Sequence, residues 1–143
     1  MGSAENDYAL ASDVDSSGNL YVTGRSDGDV DGNLNQGNDD AFLIKYNSTG
    51  TKQWTKTIGT VKDDYAKDIS VYGTSNVYVA GNTTGDIIGD GLGNDTVHGV
   101  YVNSSGHIYA ATAGGVSIST NSGISFTHKS TSDGLGHNNI NAV

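Results

Sequence analysis

The 143-residue chain contains no cysteine and no proline. Without cysteine, disulfides and thiolate metal sites are excluded, and the absence of proline is unusual for a disordered linker. Good helix formers are sparse, whereas Gly, Ser, Thr, Asn and Asp dominate. Because Ser and Thr suit exposed strand faces and Gly, Asn and Asp suit tight turns, the composition predicts many short strands and many turns.

Positive charge is also scarce. Seven Lys and Arg stand against sixteen Asp and Glu, the formal net charge is −9, and Arg25 is the single arginine. A surface that binds phosphates needs clustered basic residues, so the sequence argues against nucleic acid as a partner. The same charge disfavours anionic membranes.

Long apolar runs are missing as well. No stretch approaches the roughly eighteen apolar residues of a membrane span, so no membrane insertion is expected. The N-terminus, MGSAENDYAL, has no basic region followed by an apolar run, so no signal peptide is predicted in this chain. Residues 1–6 match no repeat and are interpreted as an N-terminal extension.

Internal self-similarity is the strongest pattern that is present. Three segments, DVDSSGNLYVTG, SVYGTSNVYVAG and YVNSSGHIYAAT, align through Tyr21, Tyr78 and Tyr109. Each consists of an alternating strand, a turn rich in Ser, Gly and Asn, and a second alternating strand. Such a hairpin cannot bury its apolar face alone, so each unit is expected to pack against its neighbours.

The units differ in completeness. The first continues through two more strands around an NSTG turn, and the third continues through two strands around an NSG turn. The second stops after two strands and a loop, for which a deletion, a chimera and a damaged gene model all remain possible explanations. DGLG recurs at Asp90 and Asp133, which predicts the opening of a further unit. The predicted organisation is an extension (1–6), a complete unit (7–60), a half unit with its loop (61–95), a third unit (96–132) and the start of a fourth (133–143).

Four-stranded sheets recurring every 40–60 residues or so are typical of β-propellers. The predicted fold is therefore all-β: antiparallel meanders arranged as consecutive blades of an incomplete, open propeller of about three units. A closed propeller needs about four to eight blades, so the chain is interpreted as a piece of a longer array, with self-association expected through exposed blade faces. The predicted core consists of Leu20, Val22, Phe42, Ile44, Trp54, Val77, Val79, Val100, Val102, Ile108, Val116, Ile118 and Phe126.

Two stretches resemble known repeats. The run DYALASDVDSSGNLYVTG followed by DAFLIKYNSTGTKQWTKTIGT closely resembles the SBBP-type bacterial β-propeller repeat, and the resemblance extends over about residues 7–95. From about residue 90 to 143 the chain resembles a different propeller repeat that contains an Asp-box, S-x-[DN]-x-G-x-x-[FW]. The resemblance implies a scaffold blade without catalytic activity, usually within large secreted or surface-attached bacterial proteins. The residues that fit the Asp-box are Ser119, Asn121, Gly123 and Phe126.

The sharpest candidate for a ligand site is the loop SDGDVDGNLNQGND. It matches the D-x-D-x-D-G start of a calcium loop, in which oxygen ligands two residues apart converge on one hard cation. The twelfth position is Asn38 rather than a bidentate glutamate, and the second unit repeats only the middle one of the three aspartates. Two interpretations stay open: the loop binds calcium, which is the only cofactor that the sequence suggests, or it is an ordinary solvated acidic loop. The candidate ligands are Asp27, Asp29 and Asp31.

Catalytic residues are not predicted. The sequence contains no G-x-S-x-G and no phosphate-cradling glycine loop with lysine. The Asp-box invites comparison with sialidases, but such an enzyme needs an arginine cluster and only Arg25 is present. The box is therefore interpreted as a structural hairpin, with Asn121 closing the turn and Phe126 packing between strands.

The predicted function is a non-catalytic structural or interaction module. Its loops, residues 25–39 and 82–95, are expected to meet a protein or a glycan. The alternative is an accessory or catalytic propeller of a carbohydrate-active, glycosidase-like enzyme. An extracellular or cell-surface location in bacteria is expected from the resemblance.

Overall fold

A computed structural model describes residues 2–74, 76–83, 96–121 and 123–143. Within these ranges the chain forms ten strands, one 3-10 turn and no α-helix, which confirms the all-β prediction. The strands are β1 (Asp7–Val14), β2 (Leu20–Ser26), β3 (Asp40–Tyr46), β4 (Lys52–Ile58), β5 (Asp64–Tyr72), β6 (Asn76–Thr83), β7 (Val97–Val102), β8 (Ile108–Thr112), β9 (Gly115–Ser119) and β10 (Thr127–Lys129), and the 3-10 turn covers Thr131–Asp133.

The strands form three antiparallel sheets, each a meander of strands consecutive in the chain. The first sheet has the order β1-β2-β3-β4, the second consists of β5 and β6, and the third has the order β10-β9-β8-β7. None of the three sheets closes on itself. The residues predicted to form the loop at 82–95 lie outside the described part of the chain from residue 84 onwards.

The opening hairpin of each sheet has the same irregularity. The pairing skips one residue of the first strand, which forms a β-bulge at an equivalent place in all three sheets. Gly24 and Gly81 lie opposite the bulge in the first two sheets. A Cβ atom there would lie 1.9 Å from the carbonyl oxygen of Tyr8 or 1.8 Å from that of Tyr65, so only glycine allows the strands to approach this closely. The skipped residues are Leu10, Lys67 and His98.

Successive sheets pack face to face through apolar side chains. One cluster lies between the first and second sheets, and another lies between the second and third. Such burial is the main favourable term in holding thin sheets together. The first cluster contains Tyr21, Leu43 and Ile69, with Ala11, Trp54, Val71, Val77 and Val79 packed against them, and the second contains Ala80, Val97 and Ala110 with Val100.

Hydrogen bonds also join successive sheets, at equivalent positions in each pair. The backbone N–H of Val71 donates to Oδ2 of Asp13 at 2.7 Å, and the backbone N–H of Val102 donates to Oγ of Ser70 at 3.2 Å. Asp13 pairs with Tyr21 and Ser70 pairs with Tyr78, so the two acceptors hold equivalent register positions. The second sheet is therefore placed on the first in the way that the third is placed on the second.

The other face of the first sheet is covered in part by the connection between β2 and β3. Val30, in that connection, is buried against Phe42 and Ile44 of β3. Nearer the β1 edge, the same face forms a concavity lined by Leu10, Leu20 and other residues of β1 and β2.

The core prediction was correct for some strand positions and incomplete for others. Phe42, Ile44, Val102 and Ile108 are buried, and the remaining members of the predicted core are half-buried. Alternation in the sequence marks a single apolar face, whereas stacked sheets are covered on both faces. In the first sheet the core prediction missed Tyr21, Thr23 and Leu43 for this reason. It also missed Ile69, Ala111 and Ser117, which share a face with predicted core residues.

Candidate binding surface

The connection between β2 and β3, residues 27–39, is held in shape by its own polar groups. The side-chain amide of Asn35 donates to the carbonyl oxygen of Ser26 at 2.9 Å, and its Oδ1 accepts the N–H of Gly37 at 2.9 Å. The N–H of Asn35 donates to Oδ1 of Asp29 at 2.8 Å. With Val30 buried beneath it, this segment, called here the braced loop, is an ordered surface on a β scaffold.

The three aspartates that the calcium motif singled out lie in or beside this loop but have separate partners. Among the described residues, no group of three or more His, Asp or Glu side chains is placed to hold a metal ion. Calcium binding by the loop stays a prediction. Asp27 accepts a hydrogen bond from Asn6, Asp29 accepts one from Asn35, and Asp31 accepts from Thr55 and pairs with Lys52.

Asp31 ties the braced loop to β4. Its Oδ1 lies 2.6 Å from Nζ of Lys52, and hydrogen bonding from that ammonium group holds the pKa of Asp31 below its ordinary value. The backbone of Asp31 has φ +53°, in the left-handed region that aspartate tolerates better than most residues. This aspartate therefore has a turn-forming role and an ion-pairing role that a calcium ligand would not need.

Arg25 lies at the mouth of the braced loop, between two tyrosines. Its guanidinium carbon is 4.5 Å from the centroid of the Tyr8 ring and 5.1 Å from that of Tyr65. It also forms an ion pair of 2.8 Å with Asp39. Tyr8 lies on the first sheet and Tyr65 on the second, so one cation joins equivalent aromatic residues of neighbouring units.

Asp39 and Asp27 form an acidic pair beside Arg25. Burial raises the pKa of Asp39, and the adjacent Asp27 carboxyl adds to this effect, so the ion pair with Arg25 offsets only part of the shift. The pKa of Asp27 is lowered, chiefly by the hydrogen bond from Asn6. Burial also raises the pKa of Tyr65, which lies against the same carboxylate. Within the pair, Asp27 therefore has the lowered pKa and Asp39 the raised one.

The Asp-box residues form a hydrogen-bonded turn after β9. The buried Oγ of Ser119 donates to Oδ1 of Asn121 at 2.9 Å and accepts the N–H of Gly123 at 2.9 Å. Oδ1 of Asn121 also accepts the N–H of Ser125 at 3.0 Å. Phe126, just beyond the turn, is half-buried. Three of the four residues thus share one turn, and nothing in its bonding requires a ligand.

Other turns are closed by the same chemistry. In each case one side-chain oxygen accepts two backbone N–H groups, two and four residues further along, as in Asx-turns. For the aspartate among them, hydrogen bonding from Asn19 lowers the pKa. The residues concerned are Asp15, Asn47 and Asn103.

The contacts of Arg25 with Tyr8 and Tyr65 were not predicted from the sequence, in which Arg25 stands out only as the single arginine. The available signal was the repeated D-Y-A at 7–9 and 64–66, which places Tyr8 and Tyr65 at equivalent positions. The contact forms between units, and spacing within one unit does not reveal it.

No family model matches the chain, and a search of curated proteins found no match either. The described residues include no helix of the length and apolar character needed to cross a bilayer.

Proposed function

We propose that the chain is a non-catalytic interaction module, built of stacked blades of an open β-propeller, that presents the braced loop to a ligand. The blade arrangement is supported by the equivalent bonds from Val71 to Asp13 and from Val102 to Ser70. A repeated interface of this kind is what nearest-neighbour stacking of repeats requires. A bacterial cell-surface or secreted setting follows from the resemblance to SBBP-type repeats.

The observation that carries the proposal is that several acidic and amide side chains accept hydrogen bonds from the protein's own backbone. They close turns, as Asp15 and Asn103 do, or receive backbone N–H groups of the next sheet, as Asp13 does. A catalytic acid or base must instead reach a substrate proton. These side chains are occupied by the protein's own backbone, which supports a scaffold.

A glycan is the ligand class that the braced loop suits best. Its exposed side chains include amides and carboxylates, which are the groups that hydrogen-bond sugar hydroxyls. Gln36, Asn38 and Asp29 are among them, and Leu34 is 71% exposed at the same surface. Binding residues on ordered loops above a rigid scaffold are a common arrangement.

A glycan array with labelled protein tests the proposal. We expect a group of related glycans to bind, with binding weakened about tenfold or more, equivalent to at least 1.4 kcal/mol, by Leu34→Lys or Asn38→Ala. Ile124→Lys is the matched control, because Ile124 is 85% exposed and lies in the turn between β9 and β10 of the third sheet. Failure to bind any glycan would contradict glycan recognition, and cleavage of a bound glycan would contradict a non-catalytic role.

A further inference from the structure

The first sheet has an apolar face that is open beside β1. Val14 is 57% exposed and Leu10 is 50% exposed, and a concavity between β1 and β2 is lined by Leu10, Leu20 and Val22. Towards β3 the same face is covered by Val30 of the braced loop. We call the open part, formed by Leu10, Val14, Leu20 and Val22, the β1 groove.

The pairing register shows what this face does elsewhere in the chain. Val14 pairs with Leu20 in the first hairpin, as Val71 pairs with Val77 in the second and Val102 with Ile108 in the third. In the second sheet these positions belong to the cluster that packs on the first sheet, and in the third sheet both residues are buried. The β1 groove is therefore the face through which a unit of this chain seats on the unit before it.

The third sheet carries the complementary face. Tyr101 and Tyr109 occupy the register positions that Asp13 and Tyr21 hold in the first sheet, on the face that receives the second sheet. Tyr101 is 50% exposed, its ring centroid lies 6.3 Å from that of Tyr109, and Tyr109 pairs with Ile118 of β9. Residues near the C-terminus contact this sheet at a different row, where Ala142 approaches Gly99. We call Tyr101, Tyr109 and Ile118 the tyrosine row.

We propose that the β1 groove binds the tyrosine row of a second copy of this chain, head to tail. The occupant is a second copy because both halves of the contact are present in one chain and repeat an interface that the chain already makes twice. Two different surfaces meet, so the contact is heterologous and extends to a ring or an open chain of copies. The net charge of −9 opposes association at low salt, and added salt should strengthen it.

Sedimentation velocity on the full chain tests this head-to-tail association. The concentration runs from micromolar to near-millimolar at about 0.15 M salt, where exposed charges are screened beyond about 8 Å. Wild type should form species larger than the monomer as concentration rises. Val14→Lys and Tyr101→Lys should each weaken association by more than about tenfold. Both substitutions reduce the negative charge, so charge repulsion would not explain the loss. Val61→Lys, the matched control at an exposed site outside both surfaces, should associate like wild type, and circular dichroism should show that all variants are folded.

Mixing the two variants distinguishes this geometry from a symmetric one. A 1:1 mixture of V14K and Y101K should form a heterodimer and no larger species, because one variant keeps the tyrosine row and the other keeps the groove. A wild type that stays monomeric at every concentration would overturn the proposal. So would association that Y101K leaves intact, since that would indicate groove packing on groove. Glycan binding depends on the braced loop and is measured separately, so the two proposals fail independently.

Discussion

The backbone N–H of Val71 lies 2.7 Å from the Asp13 carboxylate of the preceding sheet. Because β5 pairs only with β6 in the described sheet, its outward N–H groups need another acceptor, and the Asp13 carboxylate supplies one that links the two sheets. The equivalent link from Val102 to Ser70 shows that either a carboxylate or a hydroxyl can provide it. The side-chain identity can therefore vary from unit to unit while the stacking geometry is kept.

Removing this link should destabilise the stack. Asp13→Ala leaves the Val71 amide without its acceptor and should lower the free energy of unfolding by about 1–2 kcal/mol. Asp13→Ser should recover part of the loss because Ser70 acts at the equivalent position. Urea unfolding followed through Trp54, the only tryptophan, provides the measurement. Glu5→Ala removes the same charge at an exposed site, and an equal loss there would show that the effect was general electrostatics.

The glycine opposite the first bulge should be intolerant of substitution. Gly24→Ala would place a Cβ atom 1.9 Å from the carbonyl oxygen of Tyr8, so the hairpin must separate, and we expect a loss of about 2 kcal/mol or more. Gly136→Ala has no heavy atom within 4 Å of the new Cβ and is the control. Thermal unfolding of the two variants compares them directly. Equal melting temperatures would mean that β1 and β2 do not approach as described.

The stacking of Arg25 between two tyrosines should appear as an energetic coupling. Arg25→Lys keeps the charge but loses the planar group, and Tyr8→Leu removes one ring, so each should destabilise the protein by about 0.5–1 kcal/mol. The double variant should lose less than the sum, since both changes remove one contact. Urea unfolding of the four proteins completes the cycle. Strict additivity would show that Tyr8 and Arg25 do not interact.

Acid should weaken the tie between the braced loop and β4. The pKa of Asp31 is lowered by the hydrogen bond from Lys52, so its stabilising effect is fully present above the ordinary aspartate pKa of about 3.9 and is lost as the pH falls through the folded-state pKa. Asp31→Asn should cost under about 1 kcal/mol at neutral pH and nothing once Asp31 is protonated. Urea unfolding across the acid range, with Glu5→Gln as control, measures this. A loss that is equal at every pH would contradict the ion pair.

Local features of the fold could be predicted from the sequence, whereas contacts between units could not. The hairpins around Tyr21 and Tyr109 follow from alternation and turn residues, because strand and turn preferences are local. The burial of Leu43 against Ile69 depends on how two sheets meet, and alternation carries no signal for the second covered face. The Asp27–Asp29–Asp31 spacing matched a calcium loop, but the partners of Asp27 and Asp31 come from other segments, which spacing cannot reveal.

Face-to-face stacking of the sheets is the central claim, and a methyl-labelled NMR experiment tests it most directly. Nuclear Overhauser contacts between Val22 and Ile44, which pair across β2 and β3, provide the internal reference within one sheet. We expect contacts of comparable clarity between the methyl groups of Ile69 and those of Leu43, which belong to the cluster between the first and second sheets. A spectrum that shows the reference contacts but none from Ile69 to Leu43 would contradict the stacked arrangement.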